Sequence, residues 1–317
     1  MKNLVTIGTF DGIHLGHQAL IRKAVRRARR DGMRSLVVVF NRPPRLFFNP
    51  RLHIPLITTA AERAALLGEL GVDKVITLDF DARLAAMSAE RFFTDFLLKK
   101  NKMGCLLVGS DFALGKDRAG TPEALQELCR RHSVAFEACP ILNRRRAKVS
   151  SRRIRGLLSE GKIRQAERLL GYRYFLCGKV VRGRRLGRTI GFPTANLAVP
   201  DGKILPPGVF HASVRAGGRR YPAALNVGHR PTAAPPGRAL KSTSPQAEAH
   251  LIGFKGRLVG KTLRVELIRL LRAEKKFDSV SALARQIRAD VARIRRADII
   301  RSRRPARPAT GPGFRRY

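Results

Sequence analysis

The apolar residues of the first half fall in short runs separated by longer stretches of helical character. Residues 4–7, 35–40, 74–78 and 104–108 read as strands, and 135–137 as the start of a short fifth. Between them, 14–30, 59–70, 89–99 and 122–132 read as helices; the second carries leucines at 66, 67 and 70. Strands alternating with helices predict a parallel sheet with crossover helices, an α/β Rossmann-like arrangement. Residues 150–170 read as one or two helices closing this half.

From Tyr172 the pattern changes. Short β-rich runs at 175–181, 209–214, 221–227, 248–251 and 263–271 are separated by Gly and Pro turns. That rhythm predicts a small antiparallel barrel or sandwich. A last helix over 279–295 has apolar residues at 280, 283, 284, 287, 291 and 294, one packed face at helical spacing. The organisation expected is therefore a first domain over 1–170, a second over 171–296, and a basic, disordered tail over 297–317. The Pro/Gly/Ser-rich stretch 231–245 reads as a mobile loop.

Composition sets limits on function. The chain has 317 residues, 44% of them hydrophobic, enough for two ordinary cores and not the make-up of a disordered protein. No apolar run approaches the roughly 20 residues a bilayer crossing needs. The start, Met1-Lys2-Asn3, runs directly into a strand rather than a signal core, so a cytoplasmic protein with no membrane partner is expected. Cys105, Cys129, Cys139 and Cys177 form no C-x-x-C pair, and with the scattered histidines they offer no zinc spacing; reduced thiols are expected. The formal net charge of +41 gives a field that attracts polyanions, so non-specific polyanion binding is also expected. An Arg-biased composition would give the same number, and the scarcity of aromatics argues against base stacking.

The segment Gly8-Thr9-Phe10-Asp11-Gly12-Ile13-His14-Leu15-Gly16-His17 sits where the first strand turns into its helix. Ligands of such sheets bind at the carboxyl ends of the strands, and a helix N-terminus offers free N–H groups to phosphate. Gly16 lets a phosphate approach the first turn, and His14 and His17, three apart, share a helical face. Two histidines beside a turn can also be plain surface residues. Gly8 to His17 resembles the signature of the nucleotidyltransferase superfamily, and with Phe10-Asp11-Gly12 is most similar to the adenylyltransferase half of bacterial bifunctional FAD synthetases. Val108 to Gly115, containing Asp111, is similar to that family's ATP-binding loop. Val149-Ser150-Ser151-Arg152-Arg153-Ile154-Arg155 is similar to its second phosphate-binding segment, although Ser-Ser before a helix can be a simple cap. The resemblance thus implies His14 and His17 as catalytic, and Gly8, Phe10, Asp11, Gly16, Asp111, Lys148, Ser150, Ser151 and Arg155 as ATP-binding. The chain departs from the family at Arg152, usually Thr, at Lys148, often Arg, at Asp111 and Leu114, and at Asn41-Arg42-Pro43-Pro44.

In the second half, Gly187-Arg188-Thr189-Ile190-Gly191-Phe192-Pro193-Thr194-Ala195-Asn196 places Thr194 and Asn196 two apart, on one side of an extended chain. Two neutral oxygen donors side by side can ligate Mg²⁺, which prefers oxygen, although a glycine turn leading into an edge strand fits as well. The segment resembles the riboflavin kinase signature, whose six-stranded barrel agrees with the β-rich pattern. Asn226 to Thr232 and Glu248 to Leu251 follow in the family's order. The resemblance implies Glu248 as the catalytic carboxylate. It implies Gly187, Arg188, Gly191, Pro193, Thr194, Asn196, Asn226 and Arg230 as ATP- and flavin-binding, with Thr194 and Asn196 on Mg²⁺. The mostly apolar neighbours of Glu248 suggest an inner-face position shared by His250, in a structural role.

Both halves point to FAD made from riboflavin through FMN, with ATP as co-substrate of each step. Two alternatives remain: a riboflavin kinase whose altered adenylyltransferase half has decayed, or a nucleic-acid-binding protein on this scaffold.

Overall fold

The computed structural model describes residues 1–140, 143–144, 147–183, 186–228 and 246–302. Two compact units emerge, Met1–Ser151 and a second beginning at Arg152.

The first unit is a five-stranded parallel sheet in the order β3-β2-β1-β4-β5. Its chain runs β1 (Asn3–Gly8), α1 (Leu15–Arg30), β2 (Arg34–Phe40), α2 (Arg45–Phe48), α3 (Ala60–Glu69), β3 (Lys74–Leu78), α4 (Ala82–Ala86) and α5 (Ala89–Arg91). It continues through β4 (Met103–Gly109), α6 (Pro122–Arg131), β5 (Ala135–Cys139) and the small hairpin β6 (Asn143–Arg144) and β7 (Ala147–Lys148). Alternate side chains of β1 enter two cores: Val5 and Ile7 meet Phe92, Phe93 and Leu97, whereas Leu4 lies with Ala24 and Ala28 of α1. The sequence predicts one α-helix over 89–99; instead α5 passes into a π-helix, Phe92–Lys100. The wider turn aligns residues five apart, and Phe92 and Leu97 enter the same core. The strand order turns outward in opposite directions from β1 and β4, which opens a ligand crevice at their carboxyl ends.

The boundary falls after the first residue of α7 (Ser151–Ser159), and the second unit continues with α8 (Ile163–Leu170), which packs on the barrel's last strand. The barrel closes in the order β10-β11-β12-β9-β8-β13. Its elements are β8 (Phe175–Val181), α9 (Leu186–Thr189), β9 (Ala195–Ala198), β10 (Gly208–Ala216), β11 (Arg219–Gly228), β12 (Gln246–Leu251) and β13 (Thr262–Arg272). Phe210, Ala212 and Val214 face Leu225, Ala223 and Tyr221 across the β10–β11 pair; the first five of these are fully buried. The four-residue β9, which starts two residues after Pro193, is not among the strands that the sequence pattern predicts. The last helix, α10 (Val280–Ser302), runs on past residue 295, so the expected tail is helical through Ser302. Residues 303–317 and the predicted loop 231–245 lie outside the described residues.

Helix α10 lies on the barrel through Val291 and Ile294, which pack with Ile252 and Ala224. Asp290, only 5% exposed, accepts hydrogen bonds from Arg272 Nε at 3.0 Å and from Gln286 at 3.0 Å. Asp290→Ala is expected to leave Arg272 without its counter-charge and to cost about 3 kcal/mol, read from urea unfolding followed by circular dichroism. A loss below about 0.5 kcal/mol, the scale of an exposed pair, would count against the clamp.

Candidate active sites

At the end of β1 the backbone turns through left-handed conformations at Phe10 (φ 45°), Gly12 (φ 83°) and Ile13 (φ 35°). Such angles are unfavourable for Phe and Ile and persist only where surrounding contacts hold them. The Asp11 carboxylate supplies one contact: buried, it accepts hydrogen bonds from the N–H groups of Ile57 and Thr58 at 3.1 and 3.0 Å and from the Thr58 hydroxyl at 3.1 Å. Gly12 N–H donates to the same hydroxyl oxygen at 2.9 Å. Asp11 thus pins the turn to the segment before α3. Gln18 donates to the Ile13 carbonyl at 2.8 Å from within α1. Phe10 folds its ring over Gly8, where a Cβ would sit 3.0 Å from it.

His14 caps α1, and its Nδ1 accepts from the His17 N–H at 3.3 Å. The two imidazoles stack with centroids 3.6 Å apart, and Phe10 meets His17 edge-on. Burial first, and then the neighbouring His14, hold His17 well below the ordinary histidine pKa. Gly16 lies in the first turn of α1. Ser151, the last residue of the first unit, donates its hydroxyl to the Asp11 carbonyl at 2.9 Å, and Ser150 precedes it, half-buried. Arg155 stands one turn along α7, half-buried, while Arg152, at the departure from the family pattern, is exposed. Asp111 follows β4, exposed, its Oδ1 close against Gly109. The side chain of Lys148 is outside the described residues.

Sequence reasoning missed two features here. Arg63 of α3 is completely buried and donates to the Thr9 carbonyl at 3.2 Å and the Asn41 carbonyl at 2.6 Å. The rings of Phe47 and Phe48 converge on Phe80 at 5.6 Å, and Phe48 is 67% exposed. The paired Phe47-Phe48 after two prolines was the available signal; Arg63 gave none, because its partners lie far along the chain.

In the barrel, Glu248 of β12 pairs in register with Asn196 of β9 on one side and Asn226 of β11 on the other. Directly paired side chains share a face about 5 Å apart, so the three candidates form a row across three strands. The face is not the interior expected from the sequence. Ala247, Ala249 and Leu251 are buried inside, whereas Glu248 and His250 alternate with them and are half-buried outside. A small barrel's interior is filled by side chains, and here small and branched apolar ones occupy it. His250 Nδ1 lies 2.8 Å from the Pro193 carbonyl, with its ring edge-on to Phe192, so it holds the loop before β9.

Thr194 and Asn196 both line a cavity of about 620 Å³, together with Arg188, Pro193, Ala249 and Leu251. Two glycines make room for them: a Cβ on Gly183 would collide with the Asn196 amide, and one on Gly187 would come 3.3 Å from Thr194 Oγ1. Gly191, at φ 86°, turns the loop between α9 and Pro193. The donors are neutral oxygens next to a carboxylate on the same face, a set suited to a hard cation shared with phosphates. Arg230 lies outside the described residues.

Comparison with known proteins matches both halves. Residues 1–153 match the FAD synthetase family model and residues 170–297 the riboflavin kinase family model. Proteins named bifunctional riboflavin kinase/FMN adenylyltransferase are similar to the whole chain. The one from Pseudomonas fluorescens is 37% identical over 92% of each chain, and that of Escherichia coli K12 34% identical over 90% of each. The Bacillus subtilis protein is 30% identical, over 91% of this chain and 90% of its own. A crystal structure from Streptococcus pneumoniae, named a macrolide-efflux protein, superposes with a TM-score of 0.79 at 32% identity, over 93% of this chain and 94% of its own. Among the described residues of this chain no helix is long and apolar enough to cross a membrane.

Because the folded-state pKa of His17 lies below its unfolded value, the unfolded chain binds a proton first as pH falls. Stability linked to His17 is therefore complete above about pH 6.5 and is lost as pH drops from there toward the folded value. Imidazole NMR should show His17 titrating well below the ordinary histidine value, with His14→Ala recovering only the smaller part of the shift because burial is the larger cause. A His17 that titrates at the ordinary value would overturn this account.

Proposed function

The chain belongs to the family of bifunctional riboflavin kinase/FMN adenylyltransferases, and we propose that its two sites work in sequence with the residues described above. At the barrel, the terminal ribityl hydroxyl of riboflavin attacks the γ-phosphate of ATP, giving FMN and ADP. At the β1–α1 turn, the FMN phosphate attacks the α-phosphate of a second ATP, giving FAD and pyrophosphate. What supports the reading is that each half matches its own family model, FAD synthetase over residues 1–153 and riboflavin kinase over residues 170–297.

In the kinase step Glu248 accepts the proton of the attacking hydroxyl. Thr194 and Asn196 would hold Mg²⁺ through their side-chain oxygens, and the ion would offset phosphate charge. Asn226 flanks Glu248 in register and Arg188 lines the cavity; Arg188, Gly191 and Arg230 would border the phosphates. In the adenylyl step the α1 N-terminus with His14, Gly16 and His17 surrounds the α-phosphate as charge moves to the departing pyrophosphate. Lys148, Ser150, Ser151, Arg155 and Asp111 contribute further donors and contacts to ATP. Asp11 serves by fixing the turn, because its carboxylate is occupied by Ile57 and Thr58. The exposed rings of Phe47 and Phe48 offer a planar flavin a stacking surface at the ends of β2 and β3. Work in the cytoplasm and weak, salt-sensitive binding of polyanions by the +41 chain complete the proposal.

Purified protein given riboflavin, ATP and Mg²⁺ should accumulate FAD, separated chromatographically from FMN. His14→Ala should stop the sequence at FMN. Glu248→Gln should slow FMN formation about 10²- to 10⁴-fold while still converting added FMN to FAD. Protein that forms FMN but never FAD would replace this reading with the kinase alone, and no turnover at all would refute both steps.

A further inference from the structure

Arg63 is fully buried on the same face of α3 as Leu66 and Leu67, where a leucine would fill space without burying a charge. Burial lowers its pKa and the nearby Asp11 and Glu62 carboxylates pull it back, so the cation is offset but remains a guanidinium. Its two terminal nitrogens donate to carbonyls on different loops. Nη1 reaches Thr9 at 3.2 Å, in the turn that sets His14, and Nη2 reaches Asn41 at 2.6 Å, at the start of the loop bearing Phe47 and Phe48. Nε has no hydrogen-bond partner among the described residues, so the side chain's polar contacts are committed to these two loops.

We propose that Arg63 is a positioning residue for adenylyl transfer, a planar fork that fixes the spacing between the phosphate-binding turn after β1 and the loop after β2. The inference rests on the adenylyltransferase reading of this site. The two carbonyls mark the ends of adjacent strands, and one rigid group bonded to both sets their separation. ATP on the turn and FMN on the β2 side must meet with phosphate oxygen and α-phosphorus in line. A misplacement near 1 Å costs on the order of 10²-fold in rate. Loss of the fork should therefore reduce alignment more than binding of either substrate.

The test compares Arg63→Gln and Arg63→Lys with the parent chain, measuring kcat and KM for FAD formation from FMN and ATP and, on the same samples, kcat for riboflavin phosphorylation. Arg63→Gln should lower the FAD-forming kcat about 10²-fold with both KM values within about threefold. Arg63→Lys, which keeps the charge but cannot span both carbonyls, should fall between the two. The kinase rate should stay within about twofold, because the barrel is a separate unit. An unchanged FAD-forming kcat in Arg63→Gln overturns the proposal, as does a parallel fall in the kinase rate. If Arg63→Gln fails to fold its first unit by circular dichroism, Arg63→Lys decides, and a parental kcat there overturns it. A parent chain that forms no FAD from FMN would instead refute the reading of the site itself.

Discussion

The carboxylate of Asp11 has almost no contact with solvent, and the nucleotide end of the first unit is organised around satisfying it. A buried carboxylate is tolerated only when hydrogen bonds replace its water. Here the replacements come from the backbone of Ile57 and Thr58, so the chain between β2 and α3 must return over the turn after β1. That return covers the left-handed backbone at Phe10, Gly12 and Ile13, which would otherwise relax. Gln18, Ser151 and Arg63 then hold the carbonyls of Ile13, Asp11 and Thr9. Apolar packing tolerates small slips, whereas a polar network of this kind fixes direction as well as distance. His14 stands where it does because every residue before it in the turn is held by a bond of defined geometry.

The barrel achieves a comparable precision by register. Asn226, Glu248 and Asn196 are far apart in sequence, and three neighbouring strands bring them into a row. A one-residue slip would carry Glu248 to the packed interior and an alanine to the site. The small interior residues Ala223, Ala247 and Ala249 suit the narrow barrel and leave the outer face to the row of Asn226, Glu248 and Asn196. Gly183 and Gly187 are required by contact: any side chain there would displace Asn196 or Phe192. The first site therefore depends on one intricately bonded turn, the second on the pairing of a whole sheet.

Much of this was legible in the sequence because periodicity and local motifs are encoded within short windows. The alternation of strands and helices, the His14-x-Gly16-His17 segment and the Thr194-Ala195-Asn196 segment all reported on neighbours a few residues away. Long-range partners were not legible: Asp11 with Thr58, and Arg63 with Thr9, are separated by more than forty residues. The outer placement of Glu248 could have been read from Ala247-Glu248-Ala249-His250-Leu251, whose period of two puts both polar residues opposite the apolar ones. The mostly apolar average of residues 247–252 masks that alternation. The π-helical turn at Phe92 and the run of α10 to Ser302 lack a local signal that a helical period would distinguish.

The two histidines clarify what this chain's large positive charge does and does not contribute. Stacked at 3.6 Å, two imidazoliums would repel strongly, and burial already holds His17 neutral near physiological pH. In the proposed adenylyl transfer the pair would therefore offer at most one positive charge to the phosphates, together with N–H groups of fixed direction. A protein with a net charge of +41 has no shortage of cations to draw nucleotides toward its surface. Yet a diffuse field stabilises ATP and the transition state nearly alike, and uniform binding does not accelerate the chemical step. Rate depends on donors aimed at oxygens whose charge grows during transfer, which need a rigid turn and a defined tautomer more than additional charge. The buried bonds at Asp11 and Arg63 supply that rigidity, which is why the least exposed residues of the site matter as much as those that face the substrate.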